Sequence, residues 1–545
     1  MKKIVSIILA LALVLSLSAV AFAAEDTSLT ITNSEGRTYN GYKLLDLTTS
    51  LKTGTHHPAS CDGTNHSDDC YNYAYTVNEK YRKILQQETF GNGGNYLWEG
   101  GSKPSDATQI TDDQILKYLS NQTSDNGDVY QTMRQVADRL YRAILAAGIA
   151  ADAPNLTGNN DTIDQGYWMF ADVTELDGNE ANSLVMVDTK GESDITVSPK
   201  VAIPTVEKKV KDIDDSEDGS ITDNPWQDSA DHDIGDTVPF KLTATLPSNA
   251  QFYETYTMIF HDTMSAGLTL NPNSVKVYMY ETKHKADVDI DPKNVTSNFS
   301  VTTTGLTDGC TFEVGCKNIY TIDGVTKDTA FVVYYEATLN ENAFIGATGN
   351  PNEVYLEFSN NPYEEGTGET EKDKGTGKTE PDKVIVFTYQ LVINKTDSHG
   401  HPLQGAGFTL SKKNVDGTYT VIGEELKGDT LTTFTWEGLD DGDYKLEETT
   451  VPEGYNKMAD IVFSVSATHD ELSNDPELTY LDGGLMGTGT VELGSIEKDI
   501  VNNTGTVLPE TGAEGTFMLI SMSAMVVMVA VVFMVTRKKM SIYED

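Results

Sequence analysis

Four runs near the middle of the chain, Thr237–Leu246, Tyr256–Asp262, Val275–Tyr280 and Val354–Asn360, alternate apolar and polar residues with a period of two. Such a run buries one face only as a strand, because side chains at i and i+2 share a side of the sheet. Similar short runs, broken by Gly, Asn and Asp, recur along the 545 residues. The pattern predicts a mainly β chain of sandwiches in series. Some helix belongs to the first domain, where Met133, Val136, Leu140 and Ile144 recur at helical spacing within Tyr130–Ala147. Strands are expected there at Ser28–Thr32 and Leu184–Asp188.

The two ends place the chain outside a membrane. Lys2 and Lys3 precede an apolar run from Ile4 to Val20, and Ala21-Phe22-Ala23 follows as a small-x-small cleavage site. That order reads as a secretory signal peptide over 1–23. At the other end, Phe517–Val535 is apolar and Arg537-Lys538-Lys539 follows. Roughly 20 apolar residues cross a bilayer, and the basic cluster holds the tail on the cytoplasmic side. A formal net charge of −44 excludes nucleic acid as a partner class. Cys61 and Cys70, like Cys310 and Cys316, lie close in sequence, so two local disulfides are expected in an exported chain, their connectivity left open.

Between the ends, the prolines of Pro199–Pro204 mark a junction, and Pro362–Asp382 carries almost no apolar residues. The domains expected are 24–200, 201–361 and 383–507, with 362–382 a linker or exposed loop and 508–545 a terminal signal. Two lysines stand out. Leu391, Ile393 and Lys395 share one face of the strand Tyr389–Thr396, and Val206, Lys208 and Val210 share a face in Pro204–Lys211. A lysine on an apolar face is costly unless it is paired or chemically consumed.

Leu508-Pro509-Glu510-Thr511-Gly512, followed by the apolar run and the basic tail, resembles a sortase cell-wall sorting signal. The resemblance implies that a sortase cysteine attacks the Thr511 carbonyl and releases Gly512 onward, and that an amine then resolves the thioester. Leu403–Leu410, Tyr444–Glu448 and Pro452-Glu453-Gly454-Tyr455 resemble a collagen-adhesin B-type repeat. By that resemblance Lys395 forms an intramolecular isopeptide bond with an asparagine, assisted by Glu448. The asparagine is Asn502 or Asn503, and Asn502 shares parity with Ile496 and Ile500. The middle domain resembles the isopeptide-forming domain of Gram-positive fimbrial subunits, in which an aspartate assists. The residues expected there are Lys208, Asn360 and Asp262, with Lys209 and Asn361 as the neighbours one position off. Val197-Ser198-Pro199-Lys200 resembles the acceptor motif of pilus shaft proteins, although Ser198 stands for the usual tyrosine and Val201 for the usual asparagine.

The whole chain therefore resembles a sortase-assembled pilus shaft subunit. What this implies is a head-to-tail polymer joined from Thr511 to Lys200, on the surface of a Gram-positive cell. The implied partners are class C and housekeeping sortases, identical subunits, minor pilins and peptidoglycan. The alternative is a monomeric wall-anchored adhesin that binds a host or neighbouring-cell ligand. No cofactor motif and no metal site is expected. The twelfth position counted from Asp214 is Pro225 where a calcium loop needs glutamate, and the histidines near Cys61 follow no zinc spacing. Asp231-His232-Asp233 has no nucleophile motif beside it, so no enzyme is expected.

Overall fold

The computed structural model describes residues 26–505 apart from 52–70, 99–101, 123–128, 177, 191, 193, 199–201, 214–224, 254 and 363–374. The signal peptide, Cys61, Cys70, Lys200, the sorting signal Leu508–Gly512 and the apolar run after it lie outside the described residues.

The N-terminal unit sets helices against a sheet. Strands Tyr71–Val77, Tyr39–Leu51, Gly166–Asp172 and Leu184–Asp188 form that sheet in this order. The helix Val129–Ala146 turns Val136, Leu140 and Ile144 onto it, each 1% exposed or less. The apolar stripe read from the sequence is thus core. A smaller sheet, Asp161–Asp164, Asp26–Ile31 and Asp194–Val197, closes the unit.

The middle unit is a sandwich. Thr205–Lys211, Thr237–Thr245, Ala330–Leu339 and Leu268–Tyr280 are consecutive neighbours in one sheet. Asp382–Phe387, Asn350–Ser359, Met258–Met264 and Phe312–Cys316 are consecutive in the facing sheet. Alternation holds across both: Phe240, Leu242, Phe260, Val333, Leu356 and Phe358 meet in the interior. The C-terminal unit is a second sandwich. Tyr389–Asp397 lies between Thr433–Leu439 and Ser495–Asn502, and faces a sheet that includes Gly407–Lys413, Gly442–Thr450 and Ile461–His469. First strand and last strand run parallel there, with Lys395 opposite Ile500 and Asp397 opposite Asn502.

Three expectations are corrected. The stretch 362–382 is not wholly a linker, since Thr376–Lys378 pairs with Asn350–Ser359. Nor does the third domain begin at Lys383, because Asp382–Phe387 pairs with that same strand of the middle sandwich. Val384 and Val386 enter the middle core, while Ile385 and Phe387 enter the C-terminal core. One strand therefore serves two interiors, one with each face. Cys310 and Cys316 are both free, contrary to the expected disulfide. The strand Phe312–Cys316 carries the chain roughly 13 Å at about 3.3 Å per residue. Cys316, at the far end of that strand, packs into the middle core, whereas the Cys310 sulfur lies against His261 on the other face of the sheet.

Candidate functional site

In the C-terminal sandwich, alternation from Leu391 through Ile393 buries Lys395 to 1% exposure. Its Nζ donates to Asn502 Oδ1 at 2.8 Å and to the Ile500 carbonyl at 2.9 Å. Asn502 Nδ2 donates to Glu448 Oε1 at 2.7 Å, and Glu448 Oε2 accepts from the Met458 amide at 2.8 Å. Lys395 and Asn502 stand on adjacent strands, and Glu448 reaches them from the facing sheet. Asn503 is exposed, so Asn502 is the asparagine that faces Lys395. Burial lowers the Lys395 amine from 10.5 to about 8, with Glu448 pulling the other way.

The middle sandwich repeats the theme with other geometry. Lys208 is fully buried beside the stacked rings of Phe240 and Tyr335, its Nζ 5.8 and 5.7 Å from their centroids. Its Nζ donates to Asp262 Oδ2 at 2.6 Å and to Asn352 Oδ1 at 2.5 Å. Tyr335 closes the ring of contacts: its hydroxyl donates to Asp262 Oδ2 at 2.8 Å and accepts from Asn352 Nδ2 at 2.9 Å. Burial lowers Lys208 to about 8 and raises Asp262, each opposed by the charge of the other.

The amide beside Lys208 thus belongs to Asn352, and Asn360 is not part of this group. Asn360 has the same parity but stands just past the end of Asn350–Ser359, eight residues and roughly 27 Å along from Asn352. Cross-strand register places Asn352 opposite Met264, one step along the same face from Asp262. Asn360 sits past the far end, where its carbonyl accepts from the Asn182 amide of the N-terminal unit. Lys209, the neighbour one position off, pairs instead with Asp228 at 2.5 Å. Tyr335 had no signal of its own beyond alternation in Ala330–Leu339. Asn352 did have one, the parity it shares with Val354, but it lies two residues before the run Val354–Asn360 in which the alternation is read.

Asp231-His232-Asp233 lies at the seam between the two sandwiches. His469 Nε2 stands 3.5 Å from Asp231 and 3.6 Å from Asp212, and Lys412 Nζ stands 2.6 Å from Asp233 and 3.3 Å from Asp440. Burial works against a charge on His469, yet Asp212 and Asp231 outweigh it and raise the imidazole to about 10. The Ser229 hydroxyl stands 2.7 Å from His469 Nδ1 and donates to the Asp470 carbonyl at 2.7 Å, so these groups tie the two sandwiches together across the seam.

Comparison with known proteins agrees with this architecture. The family described as Gram-positive pilin backbone subunit 2, Cna-B-like domain, matches residues 234–362, and the prealbumin-like fold domain SpaA matches residues 389–476. The trypsin-resistant surface T6 protein of Streptococcus pyogenes serotype M6 is 29% identical over 295 residues, which cover 52% of this chain and 50% of that protein. The chain thus aligns with about half the length of this relative. The solved structure of the T6 backbone pilin of serotype M6 Streptococcus pyogenes superposes with a TM-score of 0.50 at 20% identity, covering 89% of this chain and 100% of that one. The full-length major pilin RrgB of Streptococcus pneumoniae gives a TM-score of 0.38 at 15% identity, over 66% and 87% of the two chains. In fold and in domain content, the chain is similar to the backbone pilins of Gram-positive pili.

Proposed function

We propose that this chain is a structural subunit of a covalently polymerised cell-surface pilus, cross-linked within its middle and C-terminal sandwiches. The observation that carries the reading is the pair of buried lysine, carboxylate and asparagine groups, one in each of two tandem sandwiches. In each, the neutral lysine Nζ attacks the asparagine Cγ. The buried acid polarises the amide and passes a proton to its nitrogen, which leaves as ammonia, while the amine proton returns to the acid. The product is an amide between Lys208 and Asn352, and another between Lys395 and Asn502. Asp262, bridged to the amide by Tyr335, and Glu448 are the two acids. No external substrate is turned over.

Polymerisation joins Thr511 of one subunit to Lys200 of the next through a sortase thioester. Such a contact is heterologous and open, so it generates a filament rather than a ring. Immunoblots of cell-wall extracts test this directly. Wild type should give a high-mass ladder, and Lys200→Ala should collapse it to monomer. A ladder persisting in the variant would transfer the acceptor role to another lysine. A lone monomer band in wild type would overturn the pilus reading in favour of a wall-anchored adhesin.

A further inference from the structure

We propose that the outer face of the middle sandwich holds a zinc site made by His261, Asp308, Cys310 and Glu313. The strand Met258–Met264 turns Phe260 and Asp262 inward, so His261 faces away from Lys208. It is nevertheless only 5% exposed. Register sets Glu313 opposite it on one side and Tyr355 on the other. Asp308 and Cys310 flank Gly309, whose φ of +85° tightens the turn that delivers both to the same imidazole.

The donor atoms converge. His261 Nδ1 lies 2.7 Å from Asp308 Oδ2, 3.5 Å from Glu313 Oε1 and 3.9 Å from Cys310 Sγ, and Sγ lies 4.0 Å from Glu313 Oε1. One ligand atom from each of the four residues fits within 4.8 Å of every other. Tetrahedral zinc with ordinary Zn–N, Zn–O and Zn–S bonds needs edges of roughly 3.3–3.6 Å, a range these separations bracket. One imidazole, one thiolate and two carboxylates form a set that zinc accepts, whereas calcium and magnesium take oxygen alone.

The surrounding shell is built as a metal site requires. His261 Nε2 lies 3.1 Å from Glu357 Oε2, so the nitrogen turned away from the metal has a carboxylate to hold its proton. The Tyr355 ring stacks on the imidazole at 4.5 Å, and its hydroxyl donates to Asp308. The Cys310 amide donates to Asp308 Oδ1 at 3.2 Å. A salt bridge to protonated histidine would account for the carboxylates. It would not account for a thiol, only 8% exposed, brought to the same nitrogen. On loading, zinc takes the place of the thiol proton and of any proton on Nδ1, which pass to solvent, so affinity should fall with acid.

The test uses purified protein carrying Cys61→Ser and Cys70→Ser, which leaves Cys310 and Cys316 as its thiols. Cobalt titration should give tetrahedral visible bands with a thiolate-to-cobalt charge-transfer band, both removed by zinc. Cys310→Ser should abolish the charge-transfer band while the far-UV circular dichroism stays unchanged. Glu357→Gln should keep the band and weaken binding about 10–100-fold, the usual effect of losing such a partner. No charge-transfer band in the folded parent, or one that survives Cys310→Ser, would overturn the site.

Discussion

A lysine with an ordinary amine pKa is almost wholly protonated at neutral pH and attacks nothing. Lowering Lys208 and Lys395 from 10.5 to about 8 multiplies the neutral fraction tenfold for each pH unit, roughly 300-fold in all. Because the acid must still hold a proton when the neutral lysine attacks, newly translated chain should lose ammonia more slowly as pH rises above about 8, where the pair gives up that proton, as followed by intact mass. Before reaction, the unfolded lysine holds its proton up to 10.5 and the folded one only to about 8. The unfolded state binds more protons between those values, so the unreacted fold gains stability as pH rises across that window. Asparagine identity gives a sharper test. Mature wild type should weigh two ammonia molecules less than its sequence, Asn352→Ala should lose only one, and Asn360→Ala should still lose both. Period-two parity marked Lys208, Asp262, Lys395 and Asn502, because a polar residue on an apolar face is conspicuous, whereas Glu448 came from the resemblance to a collagen-adhesin repeat. Parity repeats every second residue, however, so it placed the middle asparagine on the right face and at the wrong end of its strand.

At the scale of elements, the strands were legible wherever one face met a core and the other met water. Leu184–Asp188 matches its expected bounds, and Thr237–Thr245 differs from its own by one residue. Asp382–Phe387 was misassigned for a physical reason: both of its faces are buried, in different interiors, so it carries no alternation to mark which domain owns it. Close spacing of Cys310 and Cys316 suggested a clip, but an extended backbone drives near neighbours in sequence apart. The shared strand implies that the two sandwiches do not unfold independently. Phe387→Ala, which empties a fully buried site, should cost about 3–5 kcal/mol. In urea it should separate one transition into two, detected by tryptophan fluorescence of Trp226 and Trp436. A single transition shifted as a whole would show that the seam alone keeps the units together.

Across the whole molecule, that seam is polar, close and specific. Gly346 of the middle sandwich and Gly494 of the C-terminal one approach so nearly that a Cβ on Gly346 would lie 2.5 Å from the Gly494 amide nitrogen. Both have positive φ, so glycine is required there twice over, for the turn and for the approach. Only 144 and 107 positions separate the paired residues Lys208–Asn352 and Lys395–Asn502. Pull on such a chain from its two ends once the amides have formed. Tension entering the C-terminal sandwich at Tyr389 passes six residues along the first strand, crosses at Lys395 and leaves through Asn502. The enclosed chain never comes under load. At about 3.4 Å per residue, roughly 490 Å and 360 Å of potential slack stay locked inside the two loops. A fibre of these units would transmit a tug almost undiminished, as a cable does and a spring does not.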